Sequence, residues 1–235
     1  MIRFLIASPH SGAGKTVITL AIMRLLRKRG VKYQPAKSGP DYIDPKFHEV
    51  ASGESSVNLD AWAMRKEEIE NLAGSGNLVV EGAMGLFDGA GVSGVGSSAD
   101  LAKILSLPVI LVIDSGKTAH SIAAIVQGFK SFDNHVTVAG VILNRVASDR
   151  HLNILRAALS KIDVPLLGFL FKSNIFSLSE RHLGLVQASE KQNLEHWIDI
   201  VSEALAPSLD LETLTELTSQ PNLKPQKNQK PPGQR

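Results

Sequence analysis

The residues best placed to do chemistry stand in "SPHSGAGKTVITL" at 8–20. Gly12 and Gly14 bracket Ala13 directly before Lys15 and Thr16. Glycines so spaced let successive backbone N–H groups curl around phosphate oxygens at the start of a helix. Lys15 can pair with β- and γ-phosphates, and Thr16 can offer its hydroxyl to Mg²⁺. The common pattern G-x-x-x-x-G-K-[ST] asks for glycine at position 9, where this chain has Pro9. The phosphate-facing half, Ser11, Gly12, Ala13, Gly14, Lys15 and Thr16, is intact. A Gly-rich turn that merely caps a helix is the plainer reading, and it leaves the Lys-Thr pair unexplained.

Further carboxylates join this loop. In "NLVVEGAMGLFDG" (77–89) Glu81 follows the apolar run Leu78-Val79-Val80. An acid at a strand end beside a phosphate loop can reach Mg²⁺ directly or through water. Gly82, Gly85 and Gly89 then form a loop carrying Asp88. A surface turn would account for those glycines, but not for Glu81 at the end of the run. In "AKSGPDYIDPKFH" (36–48) Asp41, Tyr42, Asp44 and His48 cluster around Pro40 and Pro45, in a segment neither helical nor alternating. Prolines stiffen such a backbone, which suits substrate or metal positioning and equally an ordinary turn.

Other candidates are two-sided. A second "GKT" at 116–118 has Leu111 where a first glycine would fall, so it is no second phosphate loop. Asp114 beside it fits a functional strand-end carboxylate and a turn residue alike. Asn144, closing "GVILN", carries a donor and an acceptor that could read an adenine edge, or it simply ends a strand. Arg181 and His182 fit an anion contact or a solvated surface pair.

The elements that must position these residues alternate along the chain. Strands are predicted at 2–7, 33–38, 77–82, 108–114, 138–144 and 164–170, several of them unbroken Val/Ile/Leu runs of the kind covered on both faces. Helices are predicted at 15–30, 65–74, 98–106, 118–132, 148–162 and 189–205, with a short one at 208–217. Gly30 reads as a helix stop, and Ser148 and Ser189 as N-caps. This order implies an α/β fold: a mostly parallel sheet with helices on both faces and right-handed crossovers.

A chain of 235 residues can bury one sizeable α/β core. Formal net charge is +2, but "PNLKPQKNQKPPGQR" (221–235) holds four basic residues and no acid. Setting those four of the 25 aside leaves 21 basic against 23 acidic residues, so the body has no nucleic-acid footprint. The tail reads as a solvated linker or disordered segment. There is no cysteine, which excludes disulfides, thiolate metal sites and a Cys nucleophile within the chain. The N-terminal apolar run is too short for a signal segment or a membrane span, so a cytoplasmic protein with no membrane partner is expected.

Taken together, "KSGPDYIDPKFH", "VEGAMGLFDG", "NRVASDRH" and "RHLGLVQASE" resemble the ATP-binding synthetase domain of cobyrinate or hydrogenobyrinate a,c-diamide synthases. The resemblance covers roughly residues 1 to 205. That domain is similar in fold to dethiobiotin synthetase, a P-loop NTPase-like architecture. The family's loop resembles G-T-x-S-G-x-G-K-T, which places Ser8 at the first glycine and Pro9 at the threonine. The resemblance implies ATP-dependent amidation of the c and then the a acetate side chains of a corrinoid tetrapyrrole, through acyl phosphates attacked by ammonia. It implies Thr16, Glu81 and Asp41 around Mg²⁺, and Lys15 on the transferring phosphoryl group. Asp41, Tyr42, Asp44 and Asp88 would lie at the substrate, and Asn144 at adenine.

The resemblance also implies a boundary. Residues 1–207 form the ATP-binding unit, 208–220 a short helix and 221–235 the linker. Family members normally continue into a glutamine amidotransferase domain with a Cys nucleophile, and this chain stops at "PPGQR". A fragment, a split gene product with a glutaminase partner, or use of free ammonia would each explain that, and a homodimer is compatible with all three. The competing families are ParA/MinD-type ATPase switches, dethiobiotin synthetase and cobyric acid synthase. The first carry an extra loop Lys where this chain has His10, and the GPDYIDP block separates it from the other two.

Overall fold

A computed structural model of the chain describes residues 1–176 and 188–219. Seven strands form one sheet: β1 (Arg3–Ala7), β2 (Gln34–Ser38), β3 (Val57–Leu59), β4 (Leu78–Glu81), β5 (Val109–Asp114), β6 (Val138–Val146) and β7 (Leu166–Phe171). Their order is β3-β2-β4-β1-β5-β6-β7, and every pairing of neighbours is parallel. Parallel pairing requires long crossovers, and helices supply most of them. These are α1 (Lys15–Lys28), α2 (Asp44–Ser52), α3 (Lys66–Ala73), α4 (Ser98–Leu105), α5 (Ser121–Phe132) and α6 (Asp149–Leu159). Two more follow β7: α7 (Ala188–Leu205) and α8 (Leu211–Thr218).

Most of the strand runs are largely apolar because alternate residues serve two cores. Leu5, Ala7, Leu78, Val80, Val109 and Leu111 face the layer built by α3 to α6. Phe4, Ile6, Val79, Ile110, Val112 and Ile142 face the layer built by α1, α2, α7 and α8. Helices therefore cover both faces, as the sequence predicts. Gly30 follows α1 with φ 73° and donates its N–H to Arg27 O, and the Ser148 hydroxyl accepts from the His151 N–H, so both boundary residues act as expected.

Three expectations are corrected. The segment 36–48 is not free of helix: Asp44 opens α2, with Pro45 in its first turn. Proline is tolerated there because the first N–H groups of a helix lack intrahelical partners. Phe47 and Ala51, four residues apart, give the helix its buried face. The strand β3 was missed, being three residues at the sheet edge with only Val57 and Leu59 as apolar signal. Ser189 is not a cap, since α7 already begins at Ala188. The expectations for Arg181 and His182, and for 221–235, fall outside the described residues.

Candidate active site

The phosphate loop leaves β1 at the centre of the sheet, at its carboxyl edge, and opens α1. β1 pairs with β4 on one side and β5 on the other. That is the crevice where ligands bind in open α/β sheets. Gly14 has φ 94°, and a Cβ built there would lie 2.0 Å from Asn144 Nδ2, so the position takes only glycine without displacement. Among the described residues, no acceptor is hydrogen-bonded to the N–H groups of Ala13, Gly14, Lys15 or Thr16. These donors converge at the helix start, where an anion is favoured. Ser8 is buried, and its hydroxyl donates to His10 O, which fixes the chain reversal that a first glycine would otherwise serve.

Lys15 is buried, with Nζ donating to Met84 O (2.7 Å) and Ser8 Oγ (3.1 Å). Burial pulls its ammonium below the ordinary lysine value; the Lys37 charge adds to that, while Glu81, Asp44 and Asp88 oppose it. Thr16 Oγ1 donates to Glu81 Oε1 at 2.6 Å. Glu81 is fully buried, and it also accepts from Lys37 Nζ (3.2 Å) and from His48 Nε2 on its other oxygen (2.8 Å). Burial alone would raise the Glu81 carboxyl; Lys37, His48 and Thr16 outweigh it and hold the group well below the usual carboxylate range.

Lys37 is the residue that motif reading missed. It leaves β2 as a buried ammonium within 2.5 Å of Asp44, 3.2 Å of Glu81 and 3.9 Å of Asp41. Burial lowers its pKa, but Glu81, Asp44 and Asp41 together raise it above the ordinary value. Asp44 moves up, through burial and the nearby Glu81 charge, against the pull of Lys37. Its strand, Gln-Pro-Ala-Lys-Ser, has polar residues at both ends, so Lys37 gave no distinct signal in the sequence.

The other predicted residues spread around this centre. Asp41 Oδ1 accepts the N–H groups of Ile43 and Asp44, capping the entry to α2, and its link to Glu81 runs through Lys37. Tyr42 projects into solvent, 87% exposed. Asp88 is exposed and accepts from the Gly85 N–H (2.9 Å). Asn144 lies against the phosphate loop, its Nδ2 donating to Ala13 O and its Oδ1 accepting the Arg145 N–H.

The donor set fits a hard divalent cation. Thr16 and Glu81 present adjacent oxygens beside the loop N–H groups. Among the described residues, no three His, Asp or Glu side chains gather to hold a metal. Two adjacent oxygens such as those of Thr16 and Glu81 fit Mg²⁺, which keeps several waters and takes phosphate oxygens beside one or two protein ligands. No helix of the described residues is long and apolar enough to cross a membrane.

Comparison with known proteins shows the fold and the family. Among solved structures, chloroplast FtsY from Physcomitrella patens superposes with a TM-score of 0.52 over 84% of this chain and 65% of that one, at 16% identity, a likeness of fold alone. The chain is 50% identical over 224 residues to a hydrogenobyrinate a,c-diamide synthase of Brucella anthropi, covering 93% of this chain and 51% of that protein. Proteins of the same name from Rhizobium meliloti (50% identity) and Rhodobacter capsulatus (46%) match over 89% of this chain and 50% of theirs. The chain thus spans about half the length of the curated relatives it matches. The profile of the CbiA family, described as the CobQ/CobB/MinD/ParA nucleotide binding domain, matches residues 4–186, and the chain belongs to that family.

Proposed function

We propose that this chain is the ATP-binding half of an a,c-diamide synthase acting on a corrinoid tetrapyrrole, hydrogenobyrinate or cobyrinate. The observation that carries the reading is the Thr16–Glu81 pair beside the phosphate loop, with the Lys37, Asp44 and Asp41 charges next to it. Those groups support a reading in which phosphoryl transfer takes place beside charged side chains able to orient a carboxylate substrate. The names of its relatives point to the same chemistry. The switch-ATPase alternative has less support, since position 10 holds His10 rather than a loop lysine.

A substrate acetate oxygen attacks the γ-phosphorus of ATP; the bond to the β-bridging oxygen breaks, leaving ADP and an acyl phosphate. Ammonia then attacks the acyl carbon, phosphate departs, and the nitrogen loses a proton to give the amide. Lys15 and the N–H groups of 13–16 stabilise charge on the transferring phosphoryl group. Thr16 and Glu81 would hold Mg²⁺, which when bound would supply positive charge against the phosphates. Asp41, Asp44 and Asp88 position the substrate with Tyr42, and ammonia comes from a glutaminase domain or partner. Asn144 would flank the base, although its amide is shared with Ala13 O and the Arg145 N–H.

The test is mass spectrometry of corrinoid product after incubating the purified chain with hydrogenobyrinate or cobyrinate, ATP, Mg²⁺ and ammonium. Diamide is expected with ammonium and none with glutamine as the only nitrogen source, because the chain has no cysteine. An unchanged substrate mass with ammonium sinks the amidation reading. Diamide from glutamine sinks the ammonia assignment.

A further inference from the structure

Two residues at the end of β6 hold two carbonyls of the phosphate loop. Asn144 Nδ2 donates to Ala13 O and Arg145 Nη1 donates to Gly12 O, each at 2.9 Å. The same Nη1 lies 2.5 Å from Asp114 Oδ2 at the end of β5. Asp114 keeps its place because its other oxygen accepts the Gly116 N–H (2.9 Å). The Ser115 N–H and hydroxyl both donate to Asn144 O, at 2.9 and 2.7 Å. The ends of β5 and β6 are therefore one framework, and Arg145 reaches from it to the loop.

Peptide planarity gives that reach a consequence. In a trans peptide the C=O and the next N–H point in opposite directions. Fixing Gly12 O and Ala13 O outward turns the N–H groups of Ala13 and Gly14 the other way, where no described acceptor meets them. Those are the donors a phosphate needs. The chain also accepts strain to place this guanidinium: Arg145 has φ 57°, a left-handed conformation that a non-glycine residue rarely holds.

We propose that Arg145, oriented by Asp114, is a positioning residue of the nucleotide site, holding the loop in its phosphate-accepting shape through Gly12 O. The inference rests on the nucleotide-binding reading of this loop. It also gives Asp114 and the "GKT" turn a role, as the backing that aims Arg145.

The test is titration of the 235-residue chain and its variants with a fluorescent ATP analogue and Mg²⁺, beside thermal melting. Arg145→Gly removes the grip while suiting a positive φ, so its melting temperature is expected to stay within about 3 °C of the parent. Its nucleotide affinity is expected to fall about tenfold, the scale of a lost charged hydrogen bond. Arg145→Lys should recover most of that affinity, and Asp114→Asn should weaken binding by a smaller factor, about threefold. A parent that binds and an Arg145→Gly variant that binds equally well overturn this inference alone. A loss of affinity that accompanies a drop above about 5 °C, unrelieved by lysine, makes Arg145 a fold-stabilising residue and also overturns it. A parent that does not bind the analogue overturns the nucleotide reading together with the inference.

Discussion

Glu81 is buried, yet it keeps its charge because three donors converge on it: Thr16, Lys37 and His48. Lys37 in turn faces Glu81, Asp44 and Asp41, so three carboxylates share one ammonium. That excess of acid predicts what Glu81→Gln does. Removing one negative charge leaves Lys37 still paired with Asp44, so no buried cation is orphaned and the melting temperature moves by only a few degrees. The oxygen that would meet Mg²⁺ loses its charge, and ammonium-dependent amidation is expected to fall about 100-fold or more. Activity near the parent's would remove Glu81 from the reaction centre. The acids of this centre are legible in the sequence, because each follows a strand or sits between prolines. Lys37 is not: which cation neutralises a cluster depends on the β2–β4 pairing that sets Lys37 beside Glu81, and spacing along the chain carries no trace of that pairing.

The loops after β2, β3 and β4 leave the same edge of the parallel sheet as the phosphate loop. Tyr42 and Trp62 project into solvent from the first two, and Met84, Val92 and Val95 from the third. Trp62 is held in place from behind. Asp60 Oδ1 accepts the N–H groups of Trp62 and Ala63, and a Cβ at Gly96 would lie 2.5 Å from Trp62 Cβ, so the third loop packs against its backbone. At the other end of that loop, the Leu86 N–H donates to Ser8 O beside the phosphate loop. β3 lies three strand spacings from β1, about 14 Å; the proposed corrinoid, with its carboxylate at the phosphate loop, would extend over that distance. Trp62→Ala is therefore expected to raise the KM for the corrinoid about tenfold while leaving the KM for ATP and the melting temperature unchanged. Steady-state kinetics with each substrate varied in turn checks this, and an equal rise in both KM values would refute a corrinoid contact at Trp62. Five of the six predicted strands were legible as apolar runs that serve two cores; β2, Gln34–Ser38, carries no such run. β3 and α2 were not legible: a three-residue edge strand carries too little pattern, and a proline in the first turn of a helix looks the same as a proline in a loop.

At the scale of the whole molecule, the phosphate loop and α8 lie at opposite ends of β1. The sequence separates 208–220 as a short terminal helix, yet α8 packs on β6 and β7, and Leu209, Leu211 and Leu214 are buried in the same layer as α1 and α7. Polar contacts fix its approach. The Asp210 N–H donates to Leu167 O (2.8 Å), the Asp210 carboxylate caps the helix at the Thr213 N–H, and Ser219 bridges to Ile2. Ile2 directly precedes β1, so α8 closes the amino end of the strand whose carboxyl end bears the phosphate loop. Five residues of β1 separate the two, about 17 Å. Leu214→Ala is expected to cost about 2–5 kcal/mol, as buried leucine truncations do. For a chain of this size that lowers the melting temperature by about 4–20 °C. Because the cavity opens at the far end from the loop, affinity for the ATP analogue at 20 °C is expected to stay within about twofold of the parent. The Arg145→Gly variant should behave in the opposite way, losing affinity without losing stability. Measuring both variants by melting and titration tests that separation, and a Leu214→Ala protein that melts like the parent would show that α8 is not part of the folding unit.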